Sequence, residues 1–220
     1  MRFLAFVMAA ALTCAAEPLD TILTRMDASA KTANSFAAKV KWVEFTKSIN
    51  DLYEQSGSVA LRRVKGRVMG RQDIDKPNQF TWHFAGDNWE KFLPKAKMIE
   101  VVQVSKLSKA SDSYFLLVFG ATGAELRKSY DLTAGAEETV AGVKTTHLEM
   151  IPKDKKAREY AAKVEMWIPV GQSYGVQVKV TEPNGDYNVW TYTEAKVNPQ
   201  LPDSAFEFTA PAGVEKRILK

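Results

Sequence analysis

The apolar positions of this chain follow two periods. Between residues 18 and 33, Leu19, Ile22, Leu23, Met26, Ala30 and Ala33 recur at helical spacing, which predicts one amphipathic helix with Pro18 in its first turn and Lys31 toward its end. From Phe36 the period falls to two. Strand-like runs are expected over 36–46 and, after a polar stretch around Asn50 and Asp51, over 57–69. Lys76-Pro77-Asn78 reads as a turn, after which Phe80, Trp82 and Phe84 share one face and Thr81 and His83 the other. Gly86-Asp87-Asn88 and Pro94-Lys95 bound a strand over 89–93, and 98–104 begins the next. Further strands are expected over 130–132, 143–151, 163–168, 176–181, 189–193 and 206–208. Pro183-Asn184-Gly185-Asp186 is the clearest hairpin turn, because Asn-Gly accepts the positive φ angles of a tight connection.

Between 108 and 130 the helical period returns. Ser111-Asp112-Ser113 can cap a helix carrying Tyr114 to Phe119, interrupted over 120–123 and resumed over 124–127. That run is apolar on all sides, so it is buried or covers something apolar. No internal repeat or low-complexity linker divides the chain. The expected architecture is α+β: a large curved antiparallel sheet forming a half-open β-barrel, with the N-terminal amphipathic helix and a second helical lid segment on one face. One helix cannot cover so large a curved sheet, so an apolar hollow is expected between sheet and helices.

The N-terminal 16 residues alter the destination of the chain. Met1-Arg2, an apolar run over 3–12 and the small residues Cys14-Ala15-Ala16 before Glu17-Pro18 form a secretory leader pattern, which predicts export with cleavage after residue 16. The run is too short for a membrane span, which needs roughly 20 apolar residues. A buried N-terminal helix is the weaker alternative. Cys14 is the only cysteine, so the processed chain would hold no thiol and no disulfide. Lipid attachment at Cys14 fits poorly, because Thr13 precedes it and Ala11 stands three residues back. After cleavage about 200 residues remain, enough for one domain, 17–220, that buries about 70% of its unfolded surface. The formal charge is +4, spread along the chain. The densest basic cluster, residues 153–158, reads as a solvated loop, with docking to an anionic surface as a minor reading. Nothing in this pattern requires nucleic acid.

The patterns that suggest chemistry have plainer explanations. Gly171-Gln-Ser173-Tyr-Gly175 matches a nucleophile elbow, but that device needs a strand turning into a helix, and strand-like residues lie on both sides here. A glycine-flanked turn is expected instead. His83 and His147, the two histidines, each fall in a strand pattern without further ligands at metal-binding spacing. Glu137 and Glu138 are an adjacent pair beside a turn, so their side chains diverge and make a poor acid–base pair. Trp42, Trp82, Trp167 and Trp190 sit in strand patterns beside apolar residues, where core or cavity lining is expected. No catalytic residue, cofactor or metal site is expected.

The order of these features resembles the periplasmic outer-membrane lipoprotein carrier family, the LolA/LolB-like superfamily. The residues that carry the resemblance are Lys76-Pro77, Phe80-Thr-Trp-His-Phe84, the Gly-Asp-Asn turn before Trp89 and Leu93-Pro94. They continue with Phe115-Leu-Leu117, Tyr130-Asp-Leu132, Leu148-Glu-Met-Ile-Pro-Lys153 and, at the end, the Asn198 to Phe208 stretch with Pro211-Ala-Gly-Val214. The resemblance implies a half-open barrel whose helices act as a lid over an apolar cavity for lipoprotein acyl chains or similar lipids. It also implies a periplasmic carrier that makes and breaks no bond, with an inner-membrane lipoprotein-releasing transporter and an outer-membrane receptor as partners. The chain is expected to act as a monomer. The family's basic latch residue before Pro falls on Lys76, where Arg is usual; Lys lacks the planar fork that can hold several carbonyls.

Strand parity then gives the inward-facing residues expected to line the cavity. They are Phe80, Trp82 and Phe84; Leu148 and Met150; Val164, Met166 and Ile168; and Val178, with Leu116 and Phe119 from the lid. Methionine suits a surface that accepts varied chains. A filled core built from the same residues is the competing expectation. It would make the chain an envelope interaction or sensor module without lipid transport.

Overall fold

The structure, a computed structural model, describes residues 17–65, 67–103, 114–119 and 121–219. The leader over 1–16, with Cys14, and the cap at 111–113 lie outside them. Twelve strands form one sheet: β1 (Ser35–Thr46), β2 (Asp51–Val64), β3 (Arg67–Lys76), β4 (Phe80–Ala85), β5 (Asn88–Leu93), β6 (Met98–Gln103), β7 (Tyr130–Val140), β8 (Val143–Pro152), β9 (Lys163–Pro169), β10 (Gln177–Thr181), β11 (Tyr187–Val197) and β12 (Glu215–Ile218). Their order is β12-β6-β5-β4-β3-β2-β1-β11-β10-β9-β8-β7. The edges β7 and β12 do not pair, so the curved sheet stays a half-open barrel. Every pair is antiparallel except β12 with β6, which run parallel.

Among the described residues three α-helices complete the fold: α1 (Leu19–Ala30), α2 (Gly123–Ser129) and α3 (Lys155–Arg158). Helix α1 buries Ile22, Leu23 and Met26, the apolar stripe that its spacing predicts. Full burial of one such side chain contributes about 1.5–3 kcal/mol. Helix α2 begins in a capping box, in which Thr122 Oγ1 accepts from Glu125 N at 3.0 Å and Glu125 Oε2 accepts from Thr122 N at 3.1 Å. The apolar run before it is a 3₁₀ turn, Tyr114–Val118, rather than an α-helix. Gly123 lies so close to α1 that an added Cβ would stand 2.4 Å from the Leu23 carbonyl oxygen. Asp27 accepts from Ala124 N at 3.1 Å and Asp20 pairs with Arg127, so the two helices form one cover. Helix α3, at the basic cluster, is a single exposed turn capped by Asp154.

Four expectations are corrected. The polar stretch after residue 47 is not a loop: Asn50 takes a left-handed conformation, and β2 starts at Asp51 as the second arm of a long hairpin. The 57–69 run is two strands, because the chain reverses at Lys65, where φ is 49°. Residues 206–208 are no strand. The segment from Asn198 to Gly213 straps across the outer face of the sheet, where alternating Phe residues fill side-chain slots instead of pairing their backbone. Arg62 lies over the Phe206 ring at 4.9 Å and pairs with Asp203, while Phe208 sits 5.3 Å from Phe92 and 6.2 Å from His83. The strap delivers β12, which carries no alternating apolar signal and was not anticipated.

Candidate functional site

The strand register arranges the inner face into rows. Trp42 stands opposite Trp190, and Trp190 opposite Val178. On the other side, Gln72 opposes Trp82, Trp82 opposes Lys91, and Lys91 opposes Glu100. Phe84 opposes Trp89, which opposes Val102. Where these rows meet, the curved sheet leaves a cavity of about 410 Å³, walled by Trp42, Trp82, Phe84, Trp89, Val102, Val180 and Trp190. Trp42 and Trp190 stack with ring centroids 5.6 Å apart, and Trp42 Nε1 donates to Asn188 Oδ1 at 2.9 Å. Trp89 meets Phe84 edge-on at 5.1 Å. Wide rings with their polar atoms anchored give an apolar wall that does not collapse.

Charged groups enter this wall. The Lys91 ammonium lies 4.4 Å from the Phe80 centroid and 5.6 Å from that of Trp82. Glu44 accepts from Gln55 Nε2, and burial raises its pKa against the opposing pull of Lys91. Burial and the neighbouring Asp186 raise that of Glu182. Glu100 is paired with Arg217. Tyr114 also lines the cavity, and burial drives its phenol far above the usual range.

The residues expected at the site separate into groups. Trp82 and Phe84 line the cavity, and Phe80 supports it from beneath Lys91. Leu148, Met150, Val164, Met166, Ile168 and Val178 face inward as their parity predicts, but they are fully buried in the core shared with α1 and α2. None of the six lines the cavity. Phe119 belongs to the same core, stacked on Phe36 at 5.6 Å. The side chain of Leu116 lies outside the described residues. Lys76 is exposed at the end of β3 beside Ser56, and among the described residues it makes no side-chain hydrogen bond or ion pair to a helix.

Sequence reasoning missed Trp89, Lys91, Val102, Val180, Glu44, Glu182 and Tyr114 as lining residues. The signal was present: Lys91 shares parity with Trp89, and Glu44 with Trp42.

The other suggestive patterns resolve into structure. The 171–175 segment joins β9 to β10. Gly171 sits at φ 77°, and a Cβ on Gly175 would stand 2.9 Å from Met166 and 3.2 Å from Val118. These glycines serve a turn and a close approach. His147 stacks on Trp167 at 4.8 Å on the outer face, between Glu138 and Glu165. His83 lies beneath the strap, and burial lowers its pKa. Among the described residues, no group of three His, Cys, Asp or Glu side chains could hold a metal ion, and no helix is long and apolar enough to cross a membrane. A larger hollow of about 640 Å³ lies on the outer face, between β1–β3 and residues 199–205. Lys39, Arg71, Asp73 and Glu194 line it, and it is the more open to solvent of the two, so an apolar ligand would stay more hydrated there.

A half-barrel with helices on its inner face and an aromatic cavity beside them is the architecture that the resemblance to the lipoprotein carrier family implies. Sequence comparison bears that resemblance out. The chain is 24% identical to an outer-membrane lipoprotein carrier protein of Ralstonia nicotianae over 161 residues, 70% of each chain. It is also 24% identical over 202 residues to the carrier protein of Cupriavidus pinatubonensis, covering 87% of this chain and 88% of that one. No protein-family model matches the chain. Among solved structures, MucB superposes with a TM-score of 0.57 at 15% identity, over 87% of this chain and 63% of its own, which is a likeness of fold.

Proposed function

We propose that this protein is a periplasmic, non-catalytic carrier that holds an acyl chain of a lipoprotein or similar lipid in its aromatic cavity. One observation carries the reading: an inner-face cavity of about 410 Å³, lined by the indoles of Trp42, Trp82, Trp89 and Trp190 and the ring of Phe84, beside a filled core on the same sheet. That volume falls in the range of roughly 300–1,000 Å³ usual for small-molecule sites. Each methylene moved from water into it contributes about 0.8 kcal/mol, so one chain supplies usable affinity without any bond being made. Release then requires an acceptor that binds the lipid more tightly, or a shift of the helical cover. Export through the 1–16 leader, a single domain over 17–220, and hand-over between an inner-membrane transporter and an outer-membrane receptor complete the proposal.

The experiment is mass spectrometry of lipids that co-purify with the protein from its native envelope. Bound lipid in the wild type, lost in Trp82→Glu while the fold is kept, is the expected result. Protein that emerges free of lipid and takes up no fluorescent fatty acid would replace the carrier by an interaction module.

A further inference from the structure

The cavity contains charges that its own residues leave incompletely answered. Lys91 lines it with an ammonium set against two aromatic faces, and among the described residues that group enters no hydrogen bond or ion pair. Three N–H donors are therefore unspent. Glu44 and Glu182 line the same space. Glu44 has one side-chain donor, Gln55, and the Glu182 carboxylate accepts no hydrogen bond among the described residues. Burial makes the charged form of both harder to hold; Lys91 acts on Glu44 only across space, without a hydrogen bond, and Glu182 has the like charge of Asp186 beside it. Glu100, by contrast, already has Arg217. Tyr114, only 2% exposed, adds a hydroxyl with no partner among the described residues.

These groups impose a selection. An anionic head satisfies Lys91 and meets repulsion from Glu44 and Glu182. A cationic head does the reverse, and a neutral head answers neither. A head with both signs answers all three. We infer that the cavity selects a zwitterionic, single-chain amphiphile, its phosphate at Lys91 and its ammonium among Glu44, Glu182 and the indole faces of Trp42 and Trp190. Aromatic faces attract cations, so the stacked indoles reinforce the carboxylates. The cavity volume, low in the usual range, suits one chain rather than two. The inference rests on the lipid-binding reading and deepens it.

The test uses quenching of the cavity tryptophans by brominated chains of equal length, below their micelle concentrations. The four probes are lysophosphatidylethanolamine, lysophosphatidylglycerol, an alkylamine and a fatty alcohol. The zwitterion is expected to bind about fivefold or more tightly than the others, the scale of one well-placed ion pair. Lys91→Met brings it down to the alkylamine, Lys91→Arg keeps the preference, and Glu44→Gln with Glu182→Gln raises lysophosphatidylglycerol to match it. Chainless phosphoethanolamine does not compete. Equal binding of all four probes, or a best ligand of single charge, overturns the inference and leaves the lipid-binding reading standing. Competition by phosphoethanolamine alone overturns the amphiphile. Quenching by none of the probes removes both readings.

Discussion

The sheet treats its inner face in two ways. Over β8 to β10 the inward residues include Leu148, Met150, Val164, Met166, Ile168 and Val178, aliphatic or thioether side chains fully buried in the core, and Thr146, whose buried hydroxyl has no partner among the described residues. Over β3 to β6 they are Gln72, Trp82, Phe84, Trp89, Lys91 and Glu100, and a cavity remains. Alternation is the same in both halves, so alternation does not decide which half is filled. The side-chain chemistry does. Aliphatic side chains predominate in the filled part, whereas rings and charged tips predominate around the cavity.

Three measurements sharpen or break this contrast. The largest effect is expected in the covered half: Met166→Ala removes a fully buried side chain and should cost about 2–5 kcal/mol in urea unfolding. Trp82→Ala, in the half-buried wall, should cost less than half as much yet abolish acyl-chain binding. Comparable losses at both positions would mean that the halves are packed alike. Next comes the cover itself. Gly123→Val places atoms against the Leu23 backbone and should destabilise by about 1–3 kcal/mol, with amide exchange rising in α1 and α2 but not in β4 and β5. Uniform exchange across the sheet would show that the two regions open together.

The smallest effect is a pH dependence of opposite sign on the two faces of the open half. His83, under the strap, faces Glu90, Arg71, Glu207 and Lys216, and burial lowers its pKa below 6.5. The folded chain then resists a proton that the unfolded chain accepts. Its contribution is present above that value and is lost as pH falls below it toward the depressed folded value. His83→Gln should flatten that loss in urea midpoints between about pH 7.5 and 5.5. Glu44, inside the cavity, runs the other way. Its pKa is raised above 4.5, so folding gains as pH falls through the raised value, and Glu44→Gln should capture that gain at neutral pH. A His83→Gln midpoint curve identical to the wild type would place the acid sensitivity elsewhere.

Much of the fold was legible because strand parity and helix spacing are local. The stripe of Ile22, Leu23 and Met26, the inward face of β4 and the α+β class follow directly from the order of residues. What stayed hidden depends on contacts far apart in the chain. Parity gives the face on which Met166 points, but not that the core it joins is completed by residues of α1 and of the Tyr114–Val118 turn, far off in the chain. The tryptophans were the better guide to the cavity, since Trp42, Trp82 and Trp190 all line it. Lys91 and Glu44 escaped because a charge within a strand pattern is usually solvated. Here two aromatic rings and a glutamine amide receive them. The pairing of β12 has no local signature either: four exposed residues gain their place only from the strap that brings them to β6.

That late arrival bears on how the molecule is made. During synthesis β6 emerges long before β12, which shields its free edge, so an unpaired row of amides stays available to neighbouring chains until β12 is delivered. Leu219, just beyond β12, also lines the cavity, so the segment that covers the edge of β6 brings a residue to the rim of the aromatic pocket as well.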